Sequence, residues 1–149
     1  MGYWNRKNEL KKKANAHTNK MEELYSLEIT ECVNNTKVYD QGFYCKKECD
    51  SKPDFHQKIT VEDMDSVQAI FSYENTGKTA VLNFASYKNP GGKFLDGSSA
   101  QEEMLCHSSF LYNVLSEFDE DYYEFNRLTK NFALYTNRAL YSPDVLFIR

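Results

Sequence analysis

Residues Thr79–Ala85 form a short, nearly unbroken apolar run, a polar glycine-bearing loop spans 86–100, and a helical pattern covers 101–116. An apolar run without alternation is the mark of a strand buried on both faces of a sheet. Lys58–Val61 reads as a further short strand, and 62–74 as a helix presenting Met64, Val67, Ala69, Ile70 and Phe71. Thr60 followed by Asp63 resembles a capping box at its start, with Asp a weaker partner than Glu. Residues 101–116 place Met104, Leu105, Ser108, Leu111, Tyr112 and Leu115 along an amphipathic helix. Within 139–148, Val145–Ile148 is another strand candidate. Strand, helix, strand, glycine loop and helix together predict a three-layer α/β/α sheet. Ligands of such sheets sit beyond the carboxyl ends of strands, which directs attention to the loop after Ala85.

The preceding residues are helical in pattern. Residues 3–25 carry Trp4, Leu10, Ala14, Met21 and Leu24 roughly along one side, and a second helical stretch covers 28–37 with Ile29 and Val33. Residues 40–56 have loop chemistry. The expected organisation is an N-terminal helical region and loop over 1–56, then a site-bearing domain over 57–149. Residues 1–20 carry a balance of +5, while the remaining 129 sum to −9. A basic arm can reach phosphates, but most of the chain repels polyanions, so nucleic acid is not the expected partner. The longest apolar stretches are far short of a membrane span, and the charged N-terminus does not read as a secretory signal. A soluble, cytoplasmic protein with reduced cysteines is expected. Cys45 and Cys49 with His56 make a conceivable zinc cluster, but no fourth ligand repeats the spacing, so no metal is expected. The acids of Glu117–Glu124 read as a solvated turn carrying buried Phe118, Tyr122 and Tyr123. His107 reads as a packing or surface histidine.

Gly91 and Gly92 permit positive φ and close approach of backbone to a ligand. Their amides, near a helix start, suit a phosphate. Pro90 sets the chain direction and biases Asn89 to an extended conformation. Pro-Gly-Gly by itself specifies only a turn. Glu102 and Glu103 add chemistry. Adjacent on a helix, they point about 100° apart and do not flank a bond from opposite faces. One would orient a substrate and the other transfer protons. A general acid at a helix start needs burial to offset the dipole, which lowers a carboxylate pKa.

Gly-Gly-X, seven further residues and Gln101-Glu102-Glu103 resemble the signature of bacterial-type poly(ADP-ribose) glycohydrolases, which have a macrodomain fold. Leu82–Ser86, Asn89–Gly92, Ala100–Cys106, Ser108-Ser109, Leu111-Tyr112, Tyr141–Val145 and Asn34–Tyr39 are similar to that family as well. The resemblance implies hydrolysis of the ribose–ribose O-glycosidic bond of poly(ADP-ribose), releasing ADP-ribose without a cofactor. It makes Glu103 the acid/base and Glu102 the acceptor of ribose hydroxyls, with Gln101 setting the turn. Gly91 and Gly92 would pass close to ribose and diphosphate, and Asn89 would contact ribose.

The family loop carries a third glycine where this chain has Lys93. A positive φ there would strain a lysine by on the order of 1 kcal/mol, whereas its ammonium would suit a diphosphate. The family also continues beyond the segment at Tyr141–Val145, so the domain is expected to be incomplete at its C-terminus. That leaves two alternatives to an enzyme. One is a non-catalytic ADP-ribose or nucleotide-binding module. The other is an inactive fragment that self-associates, or is completed by another chain, through open sheet edges.

Overall fold

A computed structural model of the chain describes residues 3–40, 42, 58–129 and 136–149. Helix α1 spans Tyr3–Asn35 and is kinked at Tyr25 (φ −132°, ψ 27°), where the sequence pattern separates two helices. Ala14, Met21, Ile29 and Cys32 are its buried residues. Trp4 and Leu24, expected on the same side, are exposed. At 3.6 residues per turn each lies roughly 80° from Ala14, one to either side of the buried stripe.

Strands β1 (Lys37–Tyr39) and β2 (Ala139–Tyr141) pair antiparallel, with Val38 opposite Leu140. The α/β class holds, as a helix-rich fold with this small sheet, but the strands are not where the apolar runs predict them. Lys58–Val61 and Thr79–Ala85 form no ladder. Leu82 and Phe84 are 71% and 75% exposed, so the run is not buried on two faces. No strand lies beside it among the described residues. Val145–Ile148 contributes one bridge, Ser109 to Phe147, and the Ile148 N–H donates to the Ser108 carbonyl at 2.8 Å.

The helix expected over 62–74 is α2, Ser66–Tyr73. Its start is displaced because Asp65, not Thr60, makes the reciprocal cap. The Gln68 N–H donates to Asp65 Oδ1 (2.8 Å), and the Asp65 N–H donates to Gln68 Oε1 (3.0 Å). The helix expected over 101–116 is split into α3 (Gln101–His107) and α4 (Leu111–Ser116). Ser109 makes the break: its hydroxyl donates to the Leu105 carbonyl (2.7 Å) and accepts from the Leu111 N–H (3.1 Å). A side chain that closes one helix and opens the next competes with continuous helical bonding.

Two apolar clusters hold these elements together. Ala14, Phe94, Leu105, Cys106, Leu111, Leu115 and Tyr123 form one; Met21, Ile29, Cys32, Phe110, Val114 and Phe118 form the other. Helix α1 contributes to both, through Ala14 to the first and through Met21, Ile29 and Cys32 to the second. Residues Asp119–Glu124 form a π-helical turn with Phe118 and Tyr123 buried and Tyr122 half-buried, as the acidic, aromatic pattern predicts. Helix α5 (Phe125–Leu128) follows it.

Candidate active site

The loop between the apolar run and α3 is a succession of tight turns. The Ser86 hydroxyl accepts from the Asn89 N–H (3.2 Å), the Asn89 carbonyl from the Gly92 N–H (3.0 Å), and the Gly91 carbonyl from the Phe94 N–H (3.0 Å). A 3-10 turn, Phe94–Asp96, ends the sequence of turns. Gly91 and Gly92 have φ of +61° and +63°, in the left-handed region that L side chains rarely adopt. A Cβ on Gly91 would lie 2.8 Å from Tyr112 Cδ2 and 3.2 Å from Cys106 Sγ. A Cβ on Gly92 would lie 2.6 Å from Glu103 Oε1 and 2.9 Å from Glu102 Oε2. Gly91 therefore packs the loop onto the helices below it, and Gly92 carries the backbone across both carboxylates.

Phe94 is the loop's anchor, and nothing in its local pattern marks it as such. It is fully buried, with its ring centroid 4.6 Å from that of His107 and 5.2 Å from that of Tyr112. His107 thus packs edge-on to Phe94, and burial lowers its pKa, which favours the neutral ring.

The two glutamates are both buried and differ in their partners. Glu102 accepts from the Ser86 N–H at Oε2 (2.8 Å) and from Asn83 Nδ2 at Oε1 (3.4 Å). Burial raises its pKa; the Ser86 and Gly91 amides and Asn83 partly offset this, while the Glu103 charge adds to the rise. Glu103 accepts from the Lys93 N–H at Oε1 (2.9 Å), and its Oε2 is buried with no hydrogen-bond partner. Lys93 has φ −111°, so the strain that a positive φ would have imposed on a lysine there does not arise. What the loop needs there is an amide N–H, which any residue but proline supplies.

Gln101 takes the place of a neighbouring strand. Its Oε1 accepts from the Phe84 N–H (2.8 Å), and its Nε2 donates to the Leu82 carbonyl (2.9 Å) and to Ser66 Oγ at the start of α2 (3.0 Å). One side chain thereby fixes the apolar run against α3 and joins α2 to both. Asn83 and Ser86, which hold Glu102, were visible in the sequence only as flanks of the motif. Their signal is polar character at the end of an otherwise apolar run, and their partner lies more than fifteen residues away.

These residues enclose a cleft of about 480 Å³. Asn89, Gly92, Lys93, Gln101, Glu102 and Glu103 line it with Phe84, Ala85, Ser86 and Ala100; Gly91 lies outside the lining. Asn89 and Lys93 are exposed. Among the described residues no three His, Cys, Asp or Glu side chains form a metal-binding group, and Cys45, Cys49 and His56 lie outside those residues. Cys32 and Cys106 are buried free thiols, and burial pushes Cys32 up to about 11 and raises Cys106.

The raised pKa of Glu102 carries a stability consequence. Its unfolded-state carboxyl ionises first as pH increases, so its contribution to folding worsens from the ordinary carboxylate range up through the raised value. Glu102→Gln, which removes the charge and keeps the shape, is expected to raise the melting temperature by a few degrees at pH 7. Below pH 4 the gain should vanish. Rotation of the Asn83 amide would turn its Oδ1, buried and unpartnered in the parent, toward the new donor. Melting curves across pH check this; a lower melting temperature at pH 7 would contradict it.

The family model for the microbial-type PARG catalytic domain matches residues 8–149. The solved structure of poly(ADP-ribose) glycohydrolase (PARG) from Thermomonospora curvata is similar, with a TM-score of 0.78 and 25% identity, covering 95% of this chain and 57% of that one. The structure of that enzyme bound to the inhibitor ADP-HPD has a TM-score of 0.75 at 25% identity, covering 95% of this chain and 56% of that one. No curated protein is a significant match to the sequence. The chain spans somewhat over half the length of these solved relatives. With the match running from residue 8, near the start of α1, to the last residue, the chain belongs to the microbial-type PARG catalytic-domain family.

Proposed function

We propose that this chain is a cytoplasmic glycosidase of the poly(ADP-ribose) glycohydrolase type, which binds ADP-ribose units in the cleft and hydrolyses the ribose–ribose O-glycosidic bond. The observation that carries this reading is the asymmetry of the two carboxylates beneath Gly92. Both oxygens of Glu102 are engaged by the 83–86 stretch, whereas Glu103 keeps Oε2 without a partner. A group that only orients a ligand is best held rigidly, and a group that exchanges a proton needs an oxygen free to do so. Glu103 then protonates the departing 2′-oxygen as the glycosidic bond breaks. It takes a proton back from the water that attacks the oxocarbenium-like centre, returning to its starting state. The remaining lone pairs of Glu102 receive ribose hydroxyls. The glycine loop closes over the ribose and diphosphate, with Asn89 at the ribose and the exposed Lys93 ammonium toward the diphosphate. No redox or metal step is needed for this hydrolysis.

Calorimetric titration with free ADP-ribose tests the binding half of the proposal. Saturable binding is expected, and its absence would overturn the reading.

A second reading, that the chain associates with a copy of itself or with a completing chain, is favoured by the exposed apolar residues Ile59, Val61, Leu82 and Phe84. An apolar stretch whose backbone, among the described residues, is served only by the Gln101 side chain is a template for a further strand. Light scattering after size exclusion is then expected to give a mass above that of one chain. Phe84→Lys should restore the single-chain mass, and a monomeric parent would contradict this reading.

A further inference from the structure

The glycine loop is held from below by the two glutamates through Ser86 and Lys93, and from the side by a third group. Arg127, on α5, donates from Nη1 to the Lys88 carbonyl at 3.0 Å. The same guanidinium makes a bidentate pair with Asp119, Nη1 to Oδ1 and Nη2 to Oδ2, each at 2.8 Å. Asp119 opens the π-helical turn that buries Tyr123, so the pair is attached to the core. The fork geometry of arginine allows both interactions at once; a lysine ammonium has no equivalent planar arrangement. Lys88 precedes Asn89, whose carbonyl receives the Gly92 N–H and whose amide bonds Ser86 Oγ. Fixing the Lys88 carbonyl therefore fixes the start of the turn that carries Gly92 over Glu102 and Glu103.

We infer that Arg127, oriented by Asp119, is a positioning residue that holds the ligand loop in register over the carboxylates. Its hold is independent of the carboxylates themselves. The tie to Lys88 uses no atom of either glutamate, so it is unaffected by what the carboxylates bind. The consequence for ligand rests on the function proposed above; the consequence for the loop does not.

The test compares the parent with Arg127→Ala, Arg127→Lys, Asp119→Asn and the Arg127→Ala/Asp119→Asn double variant. Amide hydrogen exchange of 88–93 and of α4 is measured together with calorimetric ADP-ribose affinity. Arg127→Ala is expected to speed exchange across 88–93 by about tenfold with α4 unchanged, because a local opening is made easier without global unfolding. ADP-ribose affinity should fall by roughly tenfold, since small misplacements of binding groups are costly. Arg127→Lys should behave as Arg127→Ala does. Asp119→Asn should have a smaller effect, and the double variant should match Arg127→Ala, because the two residues act as one unit. Unchanged exchange at 88–93 in Arg127→Ala overturns the inference even if the parent binds no ADP-ribose, a failure that belongs to the proposed function. Faster exchange with undiminished affinity in a parent that binds overturns it too, leaving Arg127 merely structural.

Discussion

Glu103→Gln is expected to abolish release of ADP-ribose from poly(ADP-ribose) while leaving the affinity for free ADP-ribose within about threefold, as loss of a general acid/base typically costs 10²–10⁴ in rate. The substitution is nearly isosteric. The amide oxygen still accepts from the Lys93 N–H, so the loop keeps its position. What disappears is the oxygen that has no partner in the folded chain. Binding measured by calorimetry and release measured chromatographically separate the two effects. Parallel loss of both would indicate a positioning role for Glu103, and undiminished release would remove it from the chemistry altogether.

Gly92→Ala is expected to have the largest effect of any single methyl group added to the site. The left-handed conformation at φ +63° costs an L residue roughly 1–2 kcal/mol. The added carbon would also stand 2.6 Å from Glu103 Oε1 and 2.9 Å from Glu102 Oε2. Both carboxyl groups end flexible side chains, but retreat breaks their bonds to the Lys93 and Ser86 amides and leaves buried polar atoms without partners. Stability should fall by about 2–4 kcal/mol once overpacking is added to the backbone cost, and ADP-ribose binding should be lost. Denaturant unfolding and calorimetry check both parts. A variant as stable as the parent would show that Gly92 does not need its positive φ.

The site was more legible in the sequence than the sheet was, for a physical reason. Gly91, Gly92, Lys93 and Gln101–Glu103 lie within thirteen residues of one another, so a turn followed by a helix brings them together by local geometry alone. Whether Thr79–Ala85 is a strand depends on what lies beside it, and an apolar run carries no information about its neighbours. Gln101 read as a residue that sets a turn; its role against Leu82 and Phe84 follows from bonds spanning more than fifteen residues. The tie from Arg127 to Lys88 spans thirty-nine. The Ser108-Ser109 pair was in view, yet the apolar period continues across it, so the helix break became visible only with the hydroxyl's partners. Lys93 is the opposite case. Glycine at that place in the family that the motif resembles raised the prospect of a positive φ, but the backbone of Lys93 has φ −111° and its N–H serves Glu103.

The most direct test is to incubate the chain with poly(ADP-ribose) and quantify the products by chromatography, beside the Glu103→Gln variant. Free ADP-ribose accumulating with time from the parent and not from the variant is the expected result. An intact polymer in the presence of folded parent chain would contradict the assignment of hydrolysis to these 149 residues.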